Sequence, residues 1–305
     1  MAGPNYTLRQ LQAFVEVARE QSVSRAAERL FVTQPAVSMQ IHQLEEAFNI
    51  PLIEHVGRNI RLTRAGEDFH RHALAALGSL RDLEVSMADH LGMKHGRLEL
   101  AVVTTAKYFV PMLLVRFAEL YPKLEVALRV ENREKVVGML TRNEVDLVIM
   151  GRAPESVPCE ATAFATNPLG ILCAPDHPLA SPKRVRFEAV AACEFLARER
   201  GSGTRAAMDR MFKRAKVKPK IRMELPSNET IKQAVMAGMG LGFLSFRTVR
   251  HELAAGHIAR IDAPGLPTLG QWYVTHLERK RLPPAARAFK AFLIEHGGPL
   301  VDEYA

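Results

Sequence analysis

The chain has 305 residues, enough for two or three domains around sizeable cores, and its 48% hydrophobic and 24% charged content is ordinary for a soluble globular protein. No stretch approaches the ~20 apolar residues of a membrane span, no export signal opens the chain, and three widely spaced cysteines (Cys159, Cys173, Cys193) argue for a reducing compartment without a disulfide framework, so a cytoplasmic location is expected. Formal net charge is +8, yet residues 1–95 hold ten Lys and Arg against eleven Asp and Glu, net −1, which leaves +9 for the remainder.

Residues 5–19 read as a first helix with Leu8, Leu11, Phe14, Val15 and Ala18 inward. Residues 22–48 then hold two short amphipathic patterns joined by a tight polar turn. Val23, Ala26, Ala27 and Leu30 share one helix face, which Ser22 or Ser24 can cap. Val37, Ile41, Leu44 and Phe48 share the next, with Thr33 as its cap and Pro35 in the first turn, where a missing N–H costs little. Small Ala26 and Ala27 let the two helices approach closely. This is the logic of a helix-turn-helix, whose second helix enters the DNA major groove. Its outward face carries Gln34, Pro35, Ser38, Met39 and His42. Glutamine can bridge two atoms of an adenine edge, serine reads donor or acceptor, and apolar groups touch thymine methyls. A helical hairpin with a solvated polar face fits the bare spacing equally well.

The residues separate these two readings. Leu8-Arg9-Gln10-Leu11, Phe14, Ala18, Ser24, Ala26-Ala27, Leu30, Thr33-Gln34-Pro35-Ala36-Val37-Ser38, Ile41 and Leu44-Glu45 closely resemble the N-terminal domain of LysR-type transcriptional regulators. The likeness continues through Pro51-Leu52, Leu62-Thr63 and Ala65-Gly66. It departs at Met39 and His55, where the family often has arginine. Residues 50–63 read as two short strands around a turn at Val56-Gly57-Arg58-Asn59, a wing able to reach the minor groove or backbone. The winged helix-turn-helix is assigned to residues 1–65, with Ser24, Thr33, Arg58 and Arg61 completing the expected DNA-contacting set.

Residues 65–91 form one long helical pattern. Phe69, Ala73, Ala76, Leu80, Leu83 and Met87 step by four and three in alternation, a heptad seam on a helix of about 40 Å. A long helix docked on its own domain is the plain alternative to a dimer seam. The resemblance implies a linker-helix dimer, assigned to residues 66–95, and a homodimer or homotetramer.

After Gly96 strands alternate with helices: strand 98–103, helix 111–118, strand 124–128, helix 133–143 and strand 145–150. This order predicts a parallel sheet with right-handed crossovers. A second unit follows, with strand 169–173, helix 203–213, strand 222–225, helix 228–237 and strand 241–246. A strand near 271–275 and a helix near 284–296 return to the first unit. The expected architecture is α+β overall: the winged domain, the linker helix, and a two-lobed α/β domain over 96–305. Lobe one covers about 96–166 plus 268–300, and lobe two about 167–267. It is similar to the effector domain of LysR-type regulators and to periplasmic solute-binding proteins. Such lobes place a cleft at the carboxyl ends of their strands.

Thr104, Thr105 and Lys107 end the first strand and open a helix, a place that suits an anion. Arg133 starts the helix after the second strand. Ser202, Gly203, Thr204 and Arg205 form a glycine-rich loop feeding a helix N-terminus, and Asn228, Glu229 and Thr230 open the next helix. Ordinary helix capping and solvated arginines are the competing account. Gly238-Met239-Gly240-Leu241-Gly242 follows a helix and precedes a strand, the reverse of a dinucleotide fingerprint. The basic run from Lys213 to Lys220 reads as a solvated helix end. His70 and His72 face different ways, so no metal site is expected, and there is no GxSxG, HExxH or Walker pattern to support catalysis.

Thr105-Ala106-Lys107-Tyr108-Phe109, Met150-Gly151-Arg152, Gly201-Ser202-Gly203-Thr204-Arg205 and the stretch from Ser227 to Gly240 look like the regulators of carbon-dioxide-fixation operons. That resemblance implies promoter DNA as partner, contact with RNA polymerase, and phosphorylated effectors such as sugar bisphosphates, phosphoglycolate or NADPH, with no resident cofactor. The alternatives are a regulator of another pathway sensing a small carboxylate, or more distantly a solute-binding protein or enzyme with an appended DNA module.

Overall fold

In a computed structural model, which describes residues 5–56, 59–90, 96–180 and 184–303, helix α1 (Leu8–Glu20) opens on a capping box. The Gln10 N–H donates to Thr7 Oγ1 at 3.3 Å, and the Thr7 N–H donates to Gln10 Oε1 at 2.7 Å. Ser22 caps α2 (Val23–Leu30) by accepting from the Arg25 N–H, and α3 (Gln34–Phe48) follows after a three-residue turn. Ala26 and Ala27 are buried against Val37, Ile41 and Leu44 of α3 and Ala13, Phe14 and Val17 of α1, so the small residues do set the close approach.

Strands β1 (Ile53–Val56) and β2 (Asn59–Leu62) pair antiparallel, with Ile53 opposite Leu62. One carboxylate fixes where this wing begins: Glu45 Oε1 accepts from the Leu52 and Ile53 N–H groups at 2.7 and 3.0 Å. Thr63 ends it. Its hydroxyl donates to the Pro51 carbonyl at 2.8 Å and accepts from the Gly66 N–H at 3.0 Å, capping α4 (Arg64–His90). A Cβ at Gly66 would collide with the Leu52 carbonyl, so glycine is required there for close approach.

Phe69, read in sequence as the first seam position, packs inside its own domain. It stacks edge-on against Phe14 at 5.1 Å and Phe48 at 5.2 Å, and the next seam residue, Ala73, is buried too. Ala76 is exposed; Leu80 is 39% and Leu83 53% exposed, and the Met87 side chain lies outside the described set.

The chain divides into two compact units, the second built on Gly92–Thr141 with Val145–Ala305. In it β3 (Gly96–Val103) leads through a single 3₁₀ turn at Ala106–Tyr108 to α5 (Val110–Leu120), β4 (Leu124–Glu131), α6 (Arg133–Thr141) and β5 (Leu147–Met150). β3 pairs parallel with both β4 and β5. The long β6 (Cys159–Cys173) crosses to the second lobe, which adds α7 (Phe187–Ala191), β7 (Glu194–Arg198), α8 (Gly203–Arg214), β8 (Lys220–Leu225), α9 (Asn228–Met236), β9 (Leu241–Ser245), α10 (Arg250–Ala254) and β10 (Ala259–Arg260). β11 (Thr268–Leu277) returns, followed by α11 (Pro284–Phe292), a π-helical turn at Leu293–Gly297 and α12 (Gly298–Glu303).

The sheet is continuous in the order β4-β3-β5-β11-β6-β9-β7-β8, with β10 on β6. β6 and β11 run antiparallel along their length and carry the sheet between lobes. The cores segregate on either side of them. One is drawn from residues between Leu98 and Ala165 and between Trp272 and Val301; the others lie between Leu169 and Ala263.

Sequence periodicity recovered only the last five residues of β6, because Cys159–Pro168 mixes polar and apolar residues without alternation. It missed β7, β10, α7, α10 and α12 and ran α11 through the π turn. The three cysteines are free, and burial pushes the Cys173 thiol up to about 11, so it packs as a small apolar group. Among the described residues no helix is long and apolar enough to cross a membrane, and no His, Cys, Asp or Glu cluster could hold a metal.

Candidate functional site

Two surfaces gather the candidate residues, one in each unit. On α3 the apolar positions Val37, Ile41 and Leu44 are buried, which turns Gln34, Pro35, Met39 and His42 outward with Ser38 partly covered. Gln34 Nε2 donates to Ser38 Oγ at 3.1 Å, and His42 Nε2 lies 3.2 Å from Glu46 Oε1. Thr33 occupies the N-cap position, but its side chain makes no capping bond, contrary to the cap expected there; its exposed hydroxyl stays available to an outside partner. Ser24 and Arg61 are exposed as well. Arg58 lies outside the described residues.

Three arginines of the first two helices, Arg19, Arg25 and Arg29, are already spent within the protein. Arg29 lies 2.7 Å from Glu20 and 3.4 Å from Glu16, and Arg25 also reaches Glu20. The Arg29 guanidinium holds the Glu20 carboxyl below the usual range, though burial opposes it. Phosphate attraction over residues 1–95, of net charge −1, therefore rests on few groups, with the exposed first turn of α3 among them.

In the second unit a cleft of about 820 Å³ opens between the lobes. Strand ends build one wall: Val103, Thr104 and Thr105 after β3, Arg133 at the start of α6, and residues 151–156 after β5. The opposite wall is the loop after β7 and the first two turns of α8, residues 200–207 with Asp209 and Arg210. Asn167 and Leu169 of β6 and Gly270 and Trp272 of β11 lie between them. Thr105, Ser202 and Thr204 are each nearly buried, and the Ser202 hydroxyl is not used to cap α8. The first-turn N–H groups of α8 have no intrahelical acceptor, so this end of the cleft offers a dipole and several donors together.

Arg198, at the end of β7, ties the two walls. It is 2% exposed. Its Nε and Nη2 donate to the Glu199 carboxylate at 2.7 and 2.9 Å, and Nη1 donates to Asn228 Oδ1. Across the lobes, Nη2 reaches Thr104 Oγ1 at 3.2 Å. Arg205 is likewise committed. Its Nε donates to Asp209 at 3.1 Å, and Nη1 donates to Glu224 at 2.9 Å and to the Arg198 carbonyl at 3.0 Å. A two-pronged ligand contact from Arg205 would require breaking those pairs.

Of the sequence candidates, the cleft unites Thr104, Thr105, Arg133, Ser202, Gly203, Thr204 and Arg205. Lys107, Asn228, Glu229 and Thr230 do not line it. The 3₁₀ turn after β3 carries Lys107 over the Tyr108 ring, 5.2 Å from its centroid. Glu229 pairs with the buried Lys232 at 2.9 Å, and Lys232 also pairs with Glu252 at 2.7 Å. Asn228 is occupied by Arg198, and Thr230 receives only the Ser227 cap on its N–H. Arg200, which flanks the glycine-rich loop, lines the cleft too, as do Arg152 and Arg210, which were not among the effector-contact candidates. The strand-end rule that found Thr104 and Arg133 reaches Arg152 as well, since it follows the third strand of the same βαβαβ unit.

Two family models cover almost the whole chain: a bacterial regulatory helix-turn-helix of the lysR family over residues 8–67, and a LysR substrate binding domain over residues 92–298. The chain is 41% identical over 288 residues to the RuBisCO operon transcriptional regulator of Allochromatium vinosum, covering 94% of this chain and 95% of that one. It is 44% identical over 286 residues to the HTH-type transcriptional regulator CbbR of Rhodospirillum rubrum, with coverage of 94% and 95%. The regulatory domain of CcmR from Synechocystis PCC6803, solved in complex with 2-PG, superposes with a TM-score of 0.64 at 40% identity, over 66% of this chain and 97% of that one.

Proposed function

The chain belongs to the LysR family of bacterial DNA-binding transcription regulators, and from that premise we propose that it senses a phosphorylated metabolite and controls a carbon-dioxide-fixation operon. One observation carries the sensing half: an inter-lobe cleft where Thr104 and Thr105 face the N-terminus of α8 amid an excess of arginine. A phosphate dianion gains there from N–H donors, hydroxyls and guanidinium charge at once. The operon half rests on the named roles of the RuBisCO regulators above, and 2-phosphoglycolate, bound by CcmR, heads the candidate effectors, with sugar bisphosphates and NADPH beside it. A small carboxylate would use the same donors with one charge fewer.

The regulator is read as a cytoplasmic homodimer or homotetramer, joined along the exposed part of α4, that places two α3 helices in successive major grooves and engages RNA polymerase at the promoter. Ligand shifts this assembly only by binding one conformation more tightly than another. A thermal-shift screen of phosphorylated metabolites against matched carboxylates, followed by promoter footprinting with each hit, tests the reading. Stabilisation by phosphates that is lost in Thr104→Val and Thr204→Val is the expected result. Stabilisation by carboxylates alone would reassign the effector class.

DNA reading carries its own prediction. Gln34→Ala should cost roughly 1–3 kcal/mol at the cognate operator, the worth of a bidentate base contact, with little change on unrelated DNA. Equal loss on both kinds of DNA would make Gln34 a backbone contact rather than a base reader.

A further inference from the structure

The cleft holds more positive charge than one phosphate at the α8 N-terminus would need. Five arginines line it, against Glu155 and Asp209. Arg205 is answered by Asp209 and Glu224, and Arg152 by Glu155. Arg133 donates only to the carbonyls of Arg152 and Ala153, at 3.3 and 3.4 Å. Arg210 has no hydrogen bond or ion pair among the described residues. Arg133 and Arg152 stand on the first lobe and Arg210 on the second, so this cluster faces itself across the cleft.

Resting on the reading of the cleft as a phosphate sensor, we propose that Arg133, Arg152 and Arg210 form a second anion station, which selects ligands carrying two separated anionic groups. The two stations adjoin along α8. Arg133 reaches its first turn, where its Cδ would lie 3.3 Å from a Cβ placed on Gly203. Arg210 lies seven residues further on, on the same helix face and about 10 Å along the axis. A ligand with one anionic group at each end of a short carbon chain spans that distance, and a volume of about 820 Å³ accommodates it.

Like charge is the reason the station works. Burial first, and then Arg152, pushes the Arg133 pKa down; burial followed by Arg152 and Arg133 does the same to Arg210. The empty cluster is self-repelling, with one carboxylate, Glu155, to offset it. A second anion relieves that repulsion and draws Arg210 towards the first lobe, so the preference for a doubly anionic ligand is also a preference for the closed cleft. Arg198, Arg205 and their carboxylates hold the walls in place and leave this cluster free to respond.

Calorimetry on the full chain tests the station, with ribulose 1,5-bisphosphate against ribulose 5-phosphate, which share a carbon skeleton and differ by one phosphate. The bisphosphate should bind at least about tenfold tighter, the factor that 1.4 kcal/mol represents. In Arg210→Gln, and separately in Arg152→Gln, that ratio should fall toward one. Arg210 is exposed and unpartnered, so its variant is expected to fold, with circular dichroism as the check. Equal affinities in the parent protein, or a ratio that survives both variants, would overturn the second station while leaving single-phosphate sensing intact. If neither pentose phosphate binds and 2-phosphoglycolate also fails, the station and the phosphate reading fall together.

Discussion

Replacing Arg198 with alanine is expected to lower the unfolding free energy of the effector unit by about 3 kcal/mol, the low end of what breaking a buried ion pair costs. The low end applies because Glu199 keeps 18% of its side chain exposed and can recover some hydration. The rest of the loss comes from groups left without a partner. Asn228 Oδ1 loses the guanidinium, and its Nδ2 is already buried without a hydrogen bond. The Pro226 carbonyl and Thr104 hydroxyl lose theirs. Scanning calorimetry on the full chain should show the effector transition falling by about 2–4 °C per kcal/mol while the DNA-binding transition stays in place. Arg198→Lys keeps the charge but cannot supply the fork to Glu199 together with reaches to Asn228 and Thr104, so it should fall between parent and alanine. Removing Glu199 together with Arg198 should recover part of the loss. An Arg198→Ala protein that melts like the parent would mean the network is solvated in solution and the lobes are held by β6 and β11 alone.

That arginine also marks where sequence reasoning ran out. The N-terminal unit was legible because its determinants are local. Thr7 and Gln10 box a helix start three residues apart, Ala26 and Ala27 sit within seven residues of Thr33, and Gly66 lies three residues after the Thr63 cap. The effector unit was legible where strands are short and wholly apolar, as in Leu147–Met150, or where glycine precedes a helix, as at Ser202-Gly203. It was illegible where long-range pairing overrides local pattern. The first ten residues of β6 are held by β11, more than a hundred positions away, so neither strand announces the other. Glu194–Arg198 ends a strand on a buried arginine, a residue type whose burial depends on partners at positions 104, 199 and 228. The cleft shows the same division. Thr104 and Thr204 follow from strand ends and helix starts, whereas the displacement of Lys107 onto Tyr108 depends on one 3₁₀ turn that no spacing rule foretells.

Glutamate at both Leu80 and Leu83 is expected to have the largest effect of any change in the DNA-binding unit, and the reason is symmetry. Phe69 and Ala73 are consumed within the chain, but Leu80 and Leu83 remain 39% and 53% exposed on α4, too much apolar surface for a helix with nothing further to cover. Across a two-fold axis a residue meets its own copy or a near neighbour, so each glutamate would face like charge from the partner helix. Because both positions are exposed in the single chain, the substitutions should leave its fold and thermal unfolding nearly unchanged. Assembly should not survive them. A monomer reads one half-site, and its affinity should fall from the range of specific binding, about 10⁻⁸–10⁻¹¹ M, towards the non-specific range of roughly 10⁻⁴–10⁻⁶ M. Sedimentation velocity and footprinting on the same preparation measure both quantities. Loss of the dimer with loss of operator protection ties reading to the α4 seam. A variant that sediments as the parent does and protects both half-sites would take α4 out of the assembly and leave its exposed leucines without a partner.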